Sequence, residues 1–219
     1  MSSILKAHLA LLCVNLIYGA NYIIAKGVMP DYVQPYGFIF LRVIGALGLF
    51  LIIYSFKKEK IAKKDYLRMA ICAVFGVALN QSIFFKGLSL TSPINSSVIM
   101  TFTPAIVLIL GAVFFKEKLT SSKITGIIIG GIGAVSLILL SANGKNNSGN
   151  LIGDVLILAN ATSYAIYLIL VKPLMLKYKP ITVITHVFFF GFLLVIPISF
   201  QEVKLIDFSF HLDFYFFFV

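Results

Sequence analysis

Long apolar runs separated by short polar segments dominate the sequence, and seven of these runs hold 17 or more residues. A helix of roughly 17 residues or more can cross the hydrocarbon core of a bilayer. The runs lack the alternating pattern of a membrane β-barrel, and a backbone in lipid must satisfy its own hydrogen bonds, so each run is predicted to be a helix. The predicted spans are residues 7–25, 35–54, 67–85, 94–115, 124–140, 155–171 and 181–200.

The composition supports the same class of protein. Hydrophobic residues make up 60% of the 219-residue chain and charged residues only 12%, which is far from the composition of a soluble globular domain. A net charge of +10 would suggest nucleic-acid binding in a soluble protein. In a membrane protein the distribution of Lys and Arg matters more than their sum, so no nucleic-acid partner is expected. The predicted class is an all-α, polytopic membrane protein in contact with the lipid bilayer.

The basic residues predict an orientation. If the N-terminus is cytoplasmic, the inner segments carry 13 Lys and Arg residues and the outer segments carry 4. Cytoplasmic loops of membrane proteins are enriched in these residues. The sequence therefore predicts a cytoplasmic N-terminus.

The polar loop before residue 154 divides the chain into two unequal parts. An offset of 145 residues pairs Asn15 with Asn160 and Tyr22 with Tyr167. Five spans precede the loop, and an odd number of spans per repeat inverts the second copy, as in many secondary transporters. The predicted units are a first repeat at 1–141, a linker at 142–153 and a partial second repeat at 154–219.

The last residues, 214–219, resemble the opening turns of an eighth span. A C-terminally truncated chain is the expectation, and a short interfacial aromatic tail is the alternative.

Acidic side chains are predicted only in loops and at span ends, so no carboxylate is expected at mid-membrane to relay protons or bind sodium. The three histidines show no metal-ligand spacing, and the chain lacks a phosphate-binding loop and a nucleophile–base arrangement. No enzyme activity, metal site or cofactor is therefore expected.

Polar and aromatic residues inside the spans are the best candidates for function. In the first and sixth spans they recur at helical spacing and share one face. Pro104 cannot donate to the carbonyl of Met100, so that oxygen is predicted to be free. Hydrogen bonding between helices is the alternative role for each of these groups. The candidate substrate-binding residues are Asn15, Tyr18, Tyr22, Arg42, Asn80, Ser97, Met100, Thr101, Pro104, Asn160, Tyr164 and Tyr167.

Arg42 is the one charge predicted well inside a span. It could bind the carboxylate of an anionic substrate, extend to the interface, or donate to carbonyl groups of a neighbouring helix.

The fifth span is rich in glycine. Gly126 and Gly130 stand four residues apart, and Gly131 and Gly133 follow. This spacing permits close approach of another helix, either within the repeat or from a second protomer in a homodimer.

These features together resemble the EamA-type repeat of the drug/metabolite transporter superfamily. The similar parts are the proline-centred fourth span, the turn Lys116-Glu117-Lys118-Leu119 and the glycine-rich fifth span. Lys116 occupies a position where the family often has Gly. Tyr18-Gly19-Ala20-Asn21 resembles the family's Trp-Gly-x-Asn opening, and Phe40-Leu41-Arg42 resembles its second span.

The resemblance implies ten helices in two inverted five-helix repeats, of which about three helices would be absent here. It implies a bacterial inner-membrane or plasma-membrane transporter that exports small metabolites, such as amino acids or their derivatives, by alternating access. The two halves would rock about a cavity lined by the first, third, fourth and sixth spans. A non-transporting seven-helix receptor or assembly protein is the alternative.

Overall fold

A computed structural model describes residues 3–29, 32–116, 119–142 and 150–206. All regular structure in these ranges is helical, and seven of the helical stretches are long and apolar enough to cross a membrane. The predicted all-α polytopic class is therefore confirmed. The elements are α1 (Ser3–Val28), α2 (Pro35–Ser55), α3 (Lys63–Ala73), a π-helical segment (Val74–Ala78), α4 (Leu79–Leu90), α5 (Pro93–Met100), α6 (Thr103–Phe115), α7 (Ser121–Ala142), α8 (Leu151–Lys177) and α9 (Pro180–Val203).

Every predicted span is present, and its helix extends beyond the apolar run at one end or both. The helix α8, for example, continues to Lys177, past the predicted end at residue 171. An apolar run marks only the length inside hydrocarbon, whereas helical hydrogen bonding continues into the interface. Proline in the first turn begins α2, α5 and α9, where its missing N–H has no partner to lose.

The third and fourth spans are interrupted. The π-helical segment joins α3 to α4, and residues 101–102 separate α5 from α6. Pro104 lies in the first turn of α6. The prediction of a free Met100 carbonyl is wrong, because the hydroxyl of Thr103 donates to that oxygen at 2.7 Å. Thr103 lies one residue before the proline and bonds back across the break.

The two predicted halves of the chain are interlocked. The helix α2 packs along α9, and the third span, α3 with α4, packs against α8 and α9. Two glycines permit close approach here: a Cβ on Gly76 would lie 2.5 Å from the ring of Tyr167, and one on Gly191 would lie 2.5 Å from Val77. The second, third, sixth and seventh spans therefore form the packed centre of the described structure.

Polar contacts fasten this centre at the end where α3 begins. Lys177 of α8 pairs with Asp65 of α3, and the hydroxyl of Tyr178 donates to the same carboxylate at 2.7 Å. The backbone N–H of Lys179 donates to Glu59 at 3.0 Å and lowers the pKa of that carboxyl group.

The helix α1 lies at the periphery. Each of its side chains from Ile4 to Ala20 is exposed, and its contacts are with α4 and α5. Residues 143–149 of the predicted linker, Glu117, Lys118 and the predicted eighth-span opening at 214–219 lie outside the described residues. The division into repeats stays a prediction.

Candidate functional site

Tyrosines of α1 and α8 and Arg42 of α2 lie within electrostatic range of Tyr18 on the first span. The side chain of Tyr18 is 59% exposed, and its hydroxyl is close enough to Tyr164 and Tyr167 to interact with them electrostatically. The same hydroxyl interacts with Tyr22 and with Arg42 of α2. Four predicted substrate-binding residues, from three spans, thus lie within electrostatic range of Tyr18.

Aromatic packing fixes the walls of this region. Tyr164 and Tyr167 stack with their ring centroids 5.9 Å apart and an interplanar angle of 26°. Tyr22 meets Phe84 of α4 edge to face at 5.4 Å. Because Gly76 has no side chain, the ring of Tyr167 lies directly against the π-helical segment. The rings are held by rigid helices, which favours a preformed surface.

Arg42 is held by an amide and by aromatic rings. Its guanidinium donates to the side-chain oxygen of Asn21 and lies 4.9 Å from the ring centroid of Phe85 and 5.8 Å from that of Phe38. Within the described ranges it forms no ion pair with an acidic residue. Its positive charge is therefore not neutralised by a carboxylate of the described chain. The sequence prediction omitted Asn21, although the motif Tyr18-Gly19-Ala20-Asn21 contained it.

Asn160 connects the sixth span to the third. Its side chain is 1% exposed, and its amide nitrogen donates to the backbone oxygen of Asn80 at 2.7 Å. One turn further along α8, Ser163 donates to the backbone oxygen of Phe75 at 2.8 Å. Asn80 therefore contributes its carbonyl to this contact. The side-chain oxygen of Asn160 has no hydrogen-bond partner among the described residues, and an unpaired buried oxygen favours a water or substrate donor.

Three other predicted residues donate their side-chain hydrogen bonds to carbonyl groups of their own helices. The amide of Asn15 donates to the Leu11 carbonyl at 2.8 Å. The hydroxyl of Ser97 donates to Ile94 at 2.8 Å, and that of Thr101 donates to Val98 at 2.6 Å. Pro104 is exposed, and the side chain of Met100 packs beside Ile106, Ala161 and Ala165.

Two of the four predicted packing glycines face the break in the fourth span. A Cβ on Gly130 would lie 3.1 Å from the ring of Phe102, and one on Gly131 would lie 3.6 Å from it. Nothing lies within 4 Å of the corresponding positions on Gly126 and Gly133. The helix α7 therefore approaches the α5–α6 junction at Gly130 and Gly131, where both glycines face the ring of Phe102. The sequence prediction did not include Phe102.

The described ranges contain no group of three or more His, Cys, Asp and Glu side chains close enough to hold a metal ion. The converging residues instead form an aromatic surface with amide groups and a single cation, suited to non-covalent binding.

Comparison with known proteins agrees with this architecture. The model of the EamA-like transporter family matches residues 5–139. An uncharacterized transporter of Archaeoglobus fulgidus is 26% identical over 89% of this chain and 67% of its own length. The uncharacterized transporter YetK of Bacillus subtilis is 24% identical over 93% of this chain and 62% of its own length. A WAT1-related protein of Arabidopsis thaliana is 24% identical over 91% of this chain and 57% of its own length.

The chain thus spans between about half and two thirds of the length of these three relatives. The family match covers more than half of the chain, and the seven apolar helices mark an integral, multi-pass membrane protein. The chain belongs to the EamA-like transporter family of the drug/metabolite transporter superfamily.

Proposed function

We propose that this protein is a secondary transporter that exports small metabolites, such as amino acids or their derivatives, by alternating access. Membership of the EamA-like family supports transport as the general activity. The observation that carries the proposal is the positive charge of Arg42, which contacts Asn21 and the ring of Phe85 and, like Tyr164 and Tyr167, lies within electrostatic range of Tyr18.

The chemistry of these residues favours a small molecule with a carboxylate and an apolar part. Aromatic rings bury apolar surface and tolerate different shapes. Arg42 offers a positive charge that no described acidic residue neutralises, and guanidinium groups bind carboxylates through paired hydrogen bonds. The unpaired oxygen of Asn160 would accept from an ammonium or hydroxyl group of the substrate.

The orientation and the assembly are part of the proposal. The charge distribution supports a cytoplasmic N-terminus in a bacterial inner membrane or plasma membrane. With that orientation, the ends of α4 and α8 at Leu90 and Leu151 lie on the outer side. The exposed glycines Gly126 and Gly133 of α7 are available for contact with a second protomer in a homodimer.

The packing suggests which elements move. The third span belongs to the first repeat, yet it is bound to α8 by Asn160 and Ser163. We therefore assign the second, third, sixth and seventh spans to a common scaffold. The first and fourth spans, which pack on its side, are the elements proposed to open and close the cavity.

The test uses the protein expressed from its complete coding sequence and reconstituted in liposomes, with the standard amino acids as radiolabelled probes. We expect counterflow of at least one of them. Tyr18→Ala and Tyr164→Ala should each raise the half-saturation concentration of that amino acid about fivefold, because an aromatic contact contributes on the order of 1 kcal/mol beyond its buried area. Arg42→Gln should reduce transport of carboxylate substrates most strongly.

Tyr66→Ala is the matched control, because Tyr66 is a partly exposed tyrosine of α3 that contacts His186 outside this region. Transport by the Tyr18 and Tyr164 variants at the rate of the Tyr66 variant would contradict the site. The absence of counterflow for every amino acid would contradict the proposed substrate class.

A further inference from the structure

Asp154 is a fully buried carboxylate at the beginning of α8. Its side chain is 0% exposed. One carboxylate oxygen accepts from the hydroxyl of Thr91 at 2.5 Å, and the other accepts from the amide of Asn95 at 3.3 Å. Within the described residues Asp154 forms no ion pair. The carboxylate thus joins the sixth span to the turn that leads into the fourth.

Two helix N-termini compensate for the burial of this charge. Asp154 lies in the first turn of α8, whose N-cap residue is Asn150. Thr91 and Asn95 flank Ser92, the N-cap residue of α5. Unpaired N–H groups give a helix N-terminus a partial positive charge that favours a nearby anion. The side chain of Asp154 can therefore remain buried without a basic partner.

Two glycines make the contact possible. A Cβ on Gly153 would lie 2.9 Å from the backbone nitrogen of Thr91 and 3.0 Å from the carbonyl oxygen of Gly87. A Cβ on Gly87 would lie 3.0 Å from the carbonyl oxygen of Gly153. Both groups are backbone atoms that cannot rotate away. The backbones of α4 and α8 therefore cross in contact, which brings Asp154 to the N-terminus of α5.

The charged side chain of Lys26 binds the first span to α4 at the same end of the bundle. The ammonium group of Lys26 donates to the carbonyl oxygens of Leu88 at 2.9 Å and Ser89 at 2.7 Å, in the last turn of α4. Further from this end, the α1 side chains from Ile4 to Ala20 are exposed. The first span is therefore joined to α4 by charge-assisted hydrogen bonds at this end.

The opposite end of the fourth span borders a cavity. Phe114 and Phe115 at the end of α6 border a cavity of about 220 Å³ that Arg68 of α3 and residues of α8, among them Ile166 and Ile169, complete. The α5–α6 unit thus contacts α8 at the Asp154 end, packs on it again where Ile106 meets Ala161 and Ala165, and borders a cavity at the Arg68 end. The break at residues 101–102 lies between these two regions.

We propose that Asp154 is a positioning residue that holds the outer end of the fourth span closed against the sixth, with Lys26 holding the first span. This inference rests on the proposed transport function and orientation. For the cavity to open on the outer side, the hydrogen bonds from Thr91 and Asn95 to the carboxylate must break. The described conformation is accordingly closed outside, with its cavity at the inner end.

The test measures accessibility from outside intact cells and needs no substrate. Cys13 and Cys72 are replaced by Ala, and Leu158→Cys supplies one thiol a turn further along α8, beside the cluster that joins α6 to α8. Adding Asp154→Asn puts an amide donor opposite Asn95. We expect a membrane-impermeant maleimide to label the Leu158→Cys thiol about tenfold faster, because hydrogen bonds to a buried charge are lost.

A second variant and a second reporter thiol distinguish opening of the outer end from a general loss of structure. Thr91→Val removes one donor and should accelerate labelling in the same direction by a smaller factor. With Ile169→Cys as the reporter in inverted vesicles, Asp154→Asn should slow labelling, since the inner cavity closes as the outer end opens. The matched control is Asp65→Asn, which breaks a contact at the inner end and should leave outer labelling unchanged.

Unchanged labelling of Leu158→Cys in both variants would overturn the inference, and so would faster labelling of both reporters, which indicates unfolding. Because these rates require no transported molecule, they remain informative if no amino acid is transported. Normal transport with unchanged labelling would reject the gate and leave the proposed function intact.

Discussion

At the residue scale, the polar side chains of the spans form two groups, those that donate hydrogen bonds within their own helix and those that donate to another helix. Asn15, Ser97 and Thr101 donate to carbonyl groups of their own helices, whereas Asn160 and Ser163 donate to the backbone of the third span. A polar group in hydrocarbon needs a partner, and the nearest carbonyl is often that of the preceding turn. The side chains that reach other helices, together with the tyrosines, are thus the stronger determinants of structure and binding.

Lys116, at the end of α6, adopts a left-handed conformation with φ 54° and ψ 32°. This conformation costs roughly 1–2 kcal/mol for a residue with a Cβ and almost nothing for glycine. We therefore predict that Lys116→Gly raises the free energy of unfolding by about 1 kcal/mol. Thermal unfolding in detergent should show a midpoint increase of about 2–4 °C for a chain of this size.

Lys116→Ala is the control, because it removes the ammonium group and keeps the Cβ. It should leave the midpoint within a degree of wild type, at the scale of an ordinary surface substitution of roughly 0.5 kcal/mol or less. An equal increase in both variants would attribute the effect to the loss of charge and would contradict backbone strain.

At the element scale, the crossing of α4 and α8 determines how the spans meet. The backbones touch at Gly87 and Gly153, and the third span is bound to α8 again at Asn160 and near Lys177. Contacts along the whole length of two helices resist sliding and tilting. The third and sixth spans are therefore expected to move together.

Gly153→Ala should destabilise the protein, because its Cβ would contact backbone atoms of Thr91 and Gly87 that cannot move independently. Overpacking of this kind typically costs about 1–3 kcal/mol. Gly126→Ala is the matched control on α7, where nothing lies within 4 Å. Thermal unfolding should show a lower midpoint for Gly153→Ala only, and a tolerated Gly153→Ala would mean that α4 and α8 can separate.

The sequence predicted the helical spans well and their interruptions poorly. An apolar run of sufficient length specifies a membrane helix by itself, so all seven spans were predicted. Hydropathy does not register the π-helical segment or the break at residues 101–102, since both consist of ordinary apolar and hydroxyl residues. The hydroxyl of Thr103 was also overlooked as a donor to Met100, because a bond across a break requires the geometry of the break.

For the candidate site, too, the sequence predicted local features better than contacts between helices. Helical spacing grouped Tyr164 with Tyr167 on α8, whose rings stack, but spacing within one helix cannot identify the neighbouring helix. Asp154 was correctly predicted at a span end. Its complete burial depends on glycines in two different spans, so the sequence alone did not predict it.

At the scale of the whole molecule, the packing of the third span against the sixth and seventh changes the proposed mechanism. Rocking of two separate halves would require the third span to part from the sixth, and those spans are joined by backbone contact at Gly87 and Gly153, by the Asn160 hydrogen bond in the middle and by the Lys177–Asp65 pair at the other end. Movement of the first and fourth spans against a central scaffold breaks fewer contacts. The substrate would then bind between the first span and the scaffold.

Cross-linking of the first span to the sixth tests this central claim most directly. In a protein whose native Cys13 and Cys72 are replaced by Ala, Tyr18→Cys and Tyr164→Cys should be bridged by a bifunctional methanethiosulfonate reagent long enough to replace the two removed tyrosine side chains, since a direct disulfide requires Cα atoms within about 7 Å. We expect the bridge to stop amino-acid counterflow and its reduction to restore it. The control pair Tyr18→Cys with Ile128→Cys, an exposed residue of α7, should not cross-link. Failure of the first pair to cross-link, or full transport after cross-linking, would contradict a substrate site between these two spans.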